Sequence, residues 1–153
     1  MKNLIIFAGL MVATQTNALA RPLIPVHDAT AINKICESTL ARAASMVKTM
    51  EVKQGGTIFD EWNRLQITVE DMVGPVYLLG SVSPDKKVRD ATEPCLQALT
   101  AFNTQLFQNE KLYQRVVSAK PSSPQQTKLR KDLIEGFEYT GVALPPAKPM
   151  RKK

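Results

Sequence analysis

Histidine occurs once in this chain, at position 27, and cysteine only twice, at positions 36 and 95. A catalytic zinc site takes about three protein ligands, because the metal needs neutral nitrogen or anionic donors held in a tetrahedron. A single histidine cannot form H-E-x-x-H, and Cys36 and Cys95 stand far apart, each alone in its segment. A serine or cysteine triad needs a base beside its nucleophile, and His27 is the one histidine available for that role. The G-x-S-x-G turn, the phosphate-binding P-loop and the dinucleotide glycine signature are missing as well. The chain's own residues therefore point away from an enzyme, with no catalytic, metal-binding or cofactor-binding residue to nominate.

Strands are equally absent from the pattern: no segment alternates apolar and polar residues as a half-buried strand does. Aromatic residues make up 6% of the chain, so the formal charge of +6 has no aromatic interleaving. A nucleic-acid footprint would join the two in a basic stripe. The positive residues are spread out instead, and their densest cluster is Arg151-Lys152-Lys153. A solvated cationic surface is the reading that follows, without a nucleic-acid partner.

What the chain does have begins with an apolar run from Leu4 to Ala13 after Lys2. The run is about half the ~20 residues of a membrane span. Ala18 and Ala20 fit an A-x-A cleavage site, so residues 1–20 read as a cleaved secretory signal. The expected product, residues 21–153, carries 19 basic and 14 acidic residues. It would be periplasmic or secreted, with no membrane attachment after cleavage. An oxidising compartment permits a Cys36–Cys95 disulfide. Each cysteine nevertheless lies on the apolar stripe of a helical segment, where a free thiol behaves as a small hydrophobe. Two buried thiols are the favoured expectation, and the disulfide stays open as the alternative.

Residues 21–30 read as an extended lead-in with Pro22 and Pro25, followed by a helical domain over 31–153. From Asp28 or Thr30 as N-cap, Ile32, Ile35/Cys36, Leu40, Ala43, Met46/Val47 and Met50 recur at helical spacing. Gly55-Gly56 stops that helix. Thr57 with Asp60 resembles a capping box, and Trp62, Leu65, Val69, Met72/Val73, Val76 and Leu79 hold one face of the next. Gly74-Pro75 should kink this second helix or divide it. Ser83-Pro84 reads as a hydroxyl N-cap followed by proline in the first turn. Val88, Ala91, Cys95, Leu99, Phe102 and Leu106 follow, with a bend at Pro94. Asn109 caps a short helix bearing Leu112, Tyr113 and Val116. Ser123-Pro124 starts the last helix, with Leu129, Leu133/Ile134 and Phe137 inward and Gly141 as a left-handed stop. Short Gly/Pro/Ser joints predict an all-α antiparallel bundle of about five to six amphipathic helices.

The acidic neighbours Asp60/Glu61 and Glu70/Asp71 are no acid–base dyads, because adjacent residues point to different sides of a helix. Helix-start charge and solvated faces account for them. Trp62 sits squarely on its stripe and reads as a core anchor.

The order of motifs carries a resemblance. The stretches "TIFDEWNRL", Thr57 to Leu65, and "GPVYLLGSVSPDKKVRDATEPCLQALTAFNTQLFQNEKLYQRVV", Gly74 to Val117, resemble the amino-terminal helical region of the thimet oligopeptidase and neurolysin family of zinc metallopeptidases. The family's Thr-x-x-Asn-like helix start is matched by Thr57 with Asp60, and its Val-Arg-x-Ala by Val88-Arg89-Asp90-Ala91. Its Tyr/Phe-Gln-Arg-Val turn is matched by Leu112-Tyr113-Gln114-Arg115-Val116, and its Gly-x-x-Leu-Pro joint by Gly141 to Pro145. The similarity runs from about Ile32 to the last residue. It implies one wall of a deep channel that admits short peptides and excludes folded proteins. The family's zinc, held by H-E-x-x-H and a further glutamate, would belong to a catalytic half that these residues lack. The expectation is the channel-wall part of an exported oligopeptidase, truncated before the zinc site and inactive alone. Its apolar stripes would then be left exposed. The alternative is a stand-alone periplasmic helical module that binds peptides or regulates a partner.

Overall fold

Short polar capping signals start four of the five helices found among the described residues. In the structure, a computed structural model, residues 27–53 and 58–142 are described. The signal over 1–20, most of the lead-in, Gly55-Gly56, Thr57 and the residues after Val142 lie outside the described residues. The helices are α1 (Ala29–Val52), α2 (Ile58–Val82), α3 (Lys86–Phe107), α4 (Glu110–Ser118) and α5 (Pro124–Tyr139). Asp28 caps α1, its carboxylate accepting the Ala31 amide at 2.7 Å. Asn109 accepts from Leu112 at 3.1 Å to start α4. Ser123 accepts from Gln126 at 3.1 Å to start α5, whose first residue is Pro124. Each of these side chains satisfies one of the amides that a helix start leaves without a partner.

The third start differs from expectation. α2 runs on until Ser83 closes it, the Ser83 amide donating to Leu79. The N-cap of α3 is accordingly Asp85, accepting from the Lys87 amide at 2.8 Å, and Pro84 lies before the helix. The Ser83 hydroxyl accepts the Asp85 amide at 3.3 Å, which lies before the helix, so the first helical amides are left to the Asp85 carboxylate.

Neither internal proline divides its helix. α2 is continuous through Pro75 and α3 through Pro94. Gly74 has no Cβ to press against the Pro75 ring, which removes the usual obstacle to helical backbone before proline. The carbonyls that the two prolines deprive of a helical donor belong to Asp71 and Asp90, both exposed residues, where water can take the donor's place. Among the described residues the number of helices is therefore five.

The packing follows from the stripes. Ile32 near the start of α1, Leu79 near the end of α2 and Val88 near the start of α3 share one buried cluster. That places α2 antiparallel to both of its neighbours and α1 parallel to α3. Two cores result, at successive levels along the bundle. The larger joins all five helices through residues such as Met50, Trp62, Leu106, Leu112 and Phe137. The smaller draws on α1, α2 and α3, through Ile32, Cys36, Met72, Val76, Leu79, Val88 and Cys95. Trp62 is 3% exposed, with ring centroids 5.7 Å from Phe107 and 5.8 Å from Phe137, an edge-on pair in each case. It is a core anchor. Exposed large apolar residues are scattered among the described residues, Tyr139 and Val52 being the most exposed. The stripes thus close on one another, contrary to the expectation of large uncovered patches.

The cysteines depart from the favoured expectation. Cys36 and Cys95 form a disulfide, their Cα atoms 5.7 Å apart. The parallel alignment of α1 and α3 sets their two stripes in register, and sequence spacing within each helix carries no information about that register.

Helices α2 and α3 come close together at Gly80. A Cβ there would sit 2.5 Å from Thr92 Oγ1 and 3.2 Å from Thr92 Cβ, so α2 and α3 approach too closely for a side chain. Gly80→Ala is expected to destabilise the bundle by about 1–3 kcal/mol despite alanine's higher helix propensity. Urea unfolding of Gly80→Ala, Thr92→Ala and the double variant checks this. The double variant should be more stable than the sum of the single changes predicts, and simple additivity would contradict the close approach.

A candidate groove and a buried ion cluster

The carboxyl ends of the helices organise the polar part of this protein. The last four carbonyls of a helix have no internal donor, and later segments supply one in four of the five cases. A guanidinium nitrogen of Arg115, on α4, donates to the Met50 carbonyl in the last turn of α1. Arg89 donates to the Ser83 carbonyl at the end of α2, at 2.6 Å. The Thr140 hydroxyl lies 2.7 Å from the Phe107 carbonyl that ends α3, sharing its proton with Phe137. Arg130 reaches the Val116 and Val117 carbonyls of α4 at 3.3 and 2.6 Å. The fifth helix closes itself. Gly141 takes φ 81°, its amide bonds Glu138, and the Val142 amide bonds Phe137 while the Val142 side chain packs on the larger core. That is a Schellman stop, the left-handed end that Gly141 promised.

Around Arg115 lies a buried ion cluster. Glu61 is 5% exposed, with Lys53 Nζ at 2.7 Å and Arg115 Nη1 at 3.4 Å. The solvated face assigned to this residue in the sequence is corrected here, while its neighbour Asp60 is exposed as expected. A signal existed: Ile58 and Leu65, one turn before and after Glu61, are both on the apolar stripe, so Glu61 lies among core positions. Arg115 stands likewise between Leu112 and Val116. Beside the cluster is a cavity of about 160 Å³ lined by Met46, Thr49, Met50, Lys53, Glu61 and Arg64. A carboxylate already engaged by two cations has a structural use, locking the α1–α2 junction against α4.

The larger concavity is a groove of about 500 Å³ between α2 and α3, lined by Tyr77, Gly80, Arg89, Thr92, Glu93 and Leu96 among others. Tyr77 is 65% exposed and presents a ring to it. The groove offers one aromatic face, one aliphatic side chain and charges of both signs. These are groups that can hold a ligand by stacking, apolar contact and charge. Ser81 Oγ donates to the Tyr77 carbonyl at 3.0 Å. His27 stands at the start of the described residues, half-buried, its Nε2 atom buried without a hydrogen-bond partner among them. Glu70 and Asp71 are both exposed. Among the described residues no cluster of three metal-ligating side chains occurs, and no helix is long and apolar enough to cross a membrane. Comparison with protein-family models, with curated proteins and with solved structures found no match to this chain.

Two measurements follow. Arg115→Met withdraws the guanidinium from both Glu61 and the Met50 carbonyl. Lys53 still pairs with Glu61 in this variant, so the expected cost is about 1–3 kcal/mol in urea unfolding, and less in a Glu61→Leu background, where no carboxylate loses a partner. The Tyr113 hydroxyl donates to Glu138 Oε1 at 3.0 Å. That bond, with smaller contributions from desolvation and from the Glu138 charge, holds the Tyr113 pKa above 10.0. The contact's contribution is therefore complete below pH 10 and lost as pH rises through the higher folded value. In Glu138→Gln the phenolate transition of Tyr113, isolated as the absorbance difference from Tyr113→Phe, should move down in pH.

Proposed function

We propose that these helices form the non-catalytic wall region of an exported, zinc-dependent oligopeptidase, with the zinc and its ligands supplied by residues other than those described. The observation that carries the reading is how the motifs of the resemblance sit on the elements. Asp60 lies in the first turn of α2, and Val88-Arg89-Asp90-Ala91 in the first turns of α3. Leu112 to Val116 forms the body of α4. Gly141 ends α5 by the left-handed stop, at the position where the resemblance sets the joint to the next segment. Arg89 and Arg115, drawn from two of these motifs, are the side chains that hold helix ends in place. Motifs that resemble a family's by order thus fall where they do architectural work.

A wall serves proteolysis by exclusion. A stiff bundle beside a channel keeps folded chains out and lets short peptides pass, without touching the reacting bond. The disulfide supports the exported setting, since such bonds persist in oxidising compartments.

A second reading, a stand-alone periplasmic helical module that binds short peptides or regulates a partner, is favoured by one observation. The apolar stripes are covered within the chain itself, so the bundle needs no further half to bury them.

Sequencing the DNA beyond codon 153 in all three frames separates the two. An H-E-x-x-H-encoding stretch is expected under the first reading, and its absence there would remove that reading. Fluorescence-quenched short peptides add a second check. The full chain should cleave none of them, with or without zinc, and turnover would overturn both readings.

A further inference from the structure

The two cores are unequal in kind as well as in size. The larger holds Phe59, Trp62, Phe107, Tyr113 and Phe137 and is braced by α4 and α5. The smaller contains no aromatic residue and nothing from α4 or α5. The division falls at one level in all three long helices. In α1 it lies between Leu40 and Ala43, in α2 around Val73, and in α3 between Leu96 and Leu99. The disulfide lies entirely on the smaller side, joining α1 to α3 across 59 positions of sequence. Aliphatic side chains and two cysteines bury less area than the aromatic cluster does, so this end has the weaker apolar drive.

Both half-cystines are buried, Cys36 at 5% and Cys95 at 4% exposure. Met72 Sδ lies 3.6 Å from Cys95 Sγ. A thiolate cannot reach either sulfur while this end is closed. The α2–α3 groove lies at the same end, because Tyr77, Gly80, Arg89 and Thr92 stand on the helical stretches that enclose the smaller core.

We propose that the three-helix end is a redox-gated conformational unit. The Cys36–Cys95 bond holds it closed, and reduction by a dithiol releases α1 up to Leu40 and α3 up to Leu96 while the five-helix end stays folded. The chemistry is a two-electron exchange. A reductant thiolate attacks one Sγ when the end opens, the other leaves as a thiolate, and the reductant's second thiol resolves the mixed disulfide. The chain gains two thiols and the reductant becomes the disulfide. Without the bond, the loop between the cysteines regains its freedom in the open state, and the weak core alone does not hold α3 against α1. The groove wall carrying Arg89, Thr92 and Leu96 then loosens from the wall carrying Tyr77. This rests on the two cores and the disulfide, and is independent of any catalytic half.

The test is amide hydrogen exchange followed by mass spectrometry on the full chain, oxidised and after treatment with dithiothreitol, with thiol labelling to count the cysteines released. Cys36→Ser/Cys95→Ser gives the same comparison without reductant. Exchange over residues 29–40 and 86–96 is expected to accelerate about 100-fold on loss of the bond. Exchange over 43–50, 58–69 and 106–137 should change less than about threefold. Equal acceleration in all segments, or none, would overturn the proposal. So would a bond that the dithiol attacks only at the rate of global unfolding.

Discussion

The guanidinium of Arg115 is the contact on which the arrangement of the larger core depends. It stands beside the buried Glu61 and reaches the carbonyl of Met50, so one side chain on the short α4 touches the end of α1 and the start of α2. Burying a charge is tolerable only when it is paired and hydrogen-bonded. Arg115 and Glu61 therefore require each other's position, and through them α4 is held where Leu112 and Val116 complete the core. Lys53 adds a second cation from the end of α1 at the partly exposed rim.

The same device recurs with weaker groups. Arg89, Thr140 and Arg130 each serve carbonyls at the end of an earlier helix. The helices themselves carry few cations in their last turns: Arg115 in α4 is the one basic residue so placed in the five. Stabilisation of helix ends is thus largely tertiary here. A helix whose end is completed by a distant side chain forms fully only when its neighbour is in place, which couples the pieces into one cooperative unit at the five-helix end.

At the other end the coupling is of a different kind. Three helices, an aliphatic core and a close contact between Gly80 and Thr92 are joined by a covalent bond rather than by ion pairs. An end stapled in this way can be firm in one redox state and loose in the other. For a channel wall or a binding module, this places the conformational variability next to the groove and keeps the aromatic core as the rigid base.

Much of this was legible in the residues. The apolar spacing in each segment, the capping roles of Asp28, Asn109 and Ser123, the proline start of α5 and the Gly141 stop are local properties, determined within a few residues by backbone hydrogen bonding and helical periodicity. The all-α class follows from them. Helix α3 running on through Pro94 was also legible, and for α2 the residues left a kink or a division open at Pro75. Three features were not legible: the cap at Asp85, the partners that hold Glu61 in the core, and the disulfide. Each depends on what another segment does. Helix α2 extends to Val82, so α3 starts later than Ser83 and Asp85 caps it, and Glu61 is buried where Arg115 and Lys53 come to it. Cys36 meets Cys95 because α1 and α3 lie parallel and in register. Sequence by itself determined which faces would be buried. Only the tertiary structure decided which buried face meets which, because that choice is made by contacts between residues tens of positions apart, and no local period encodes them.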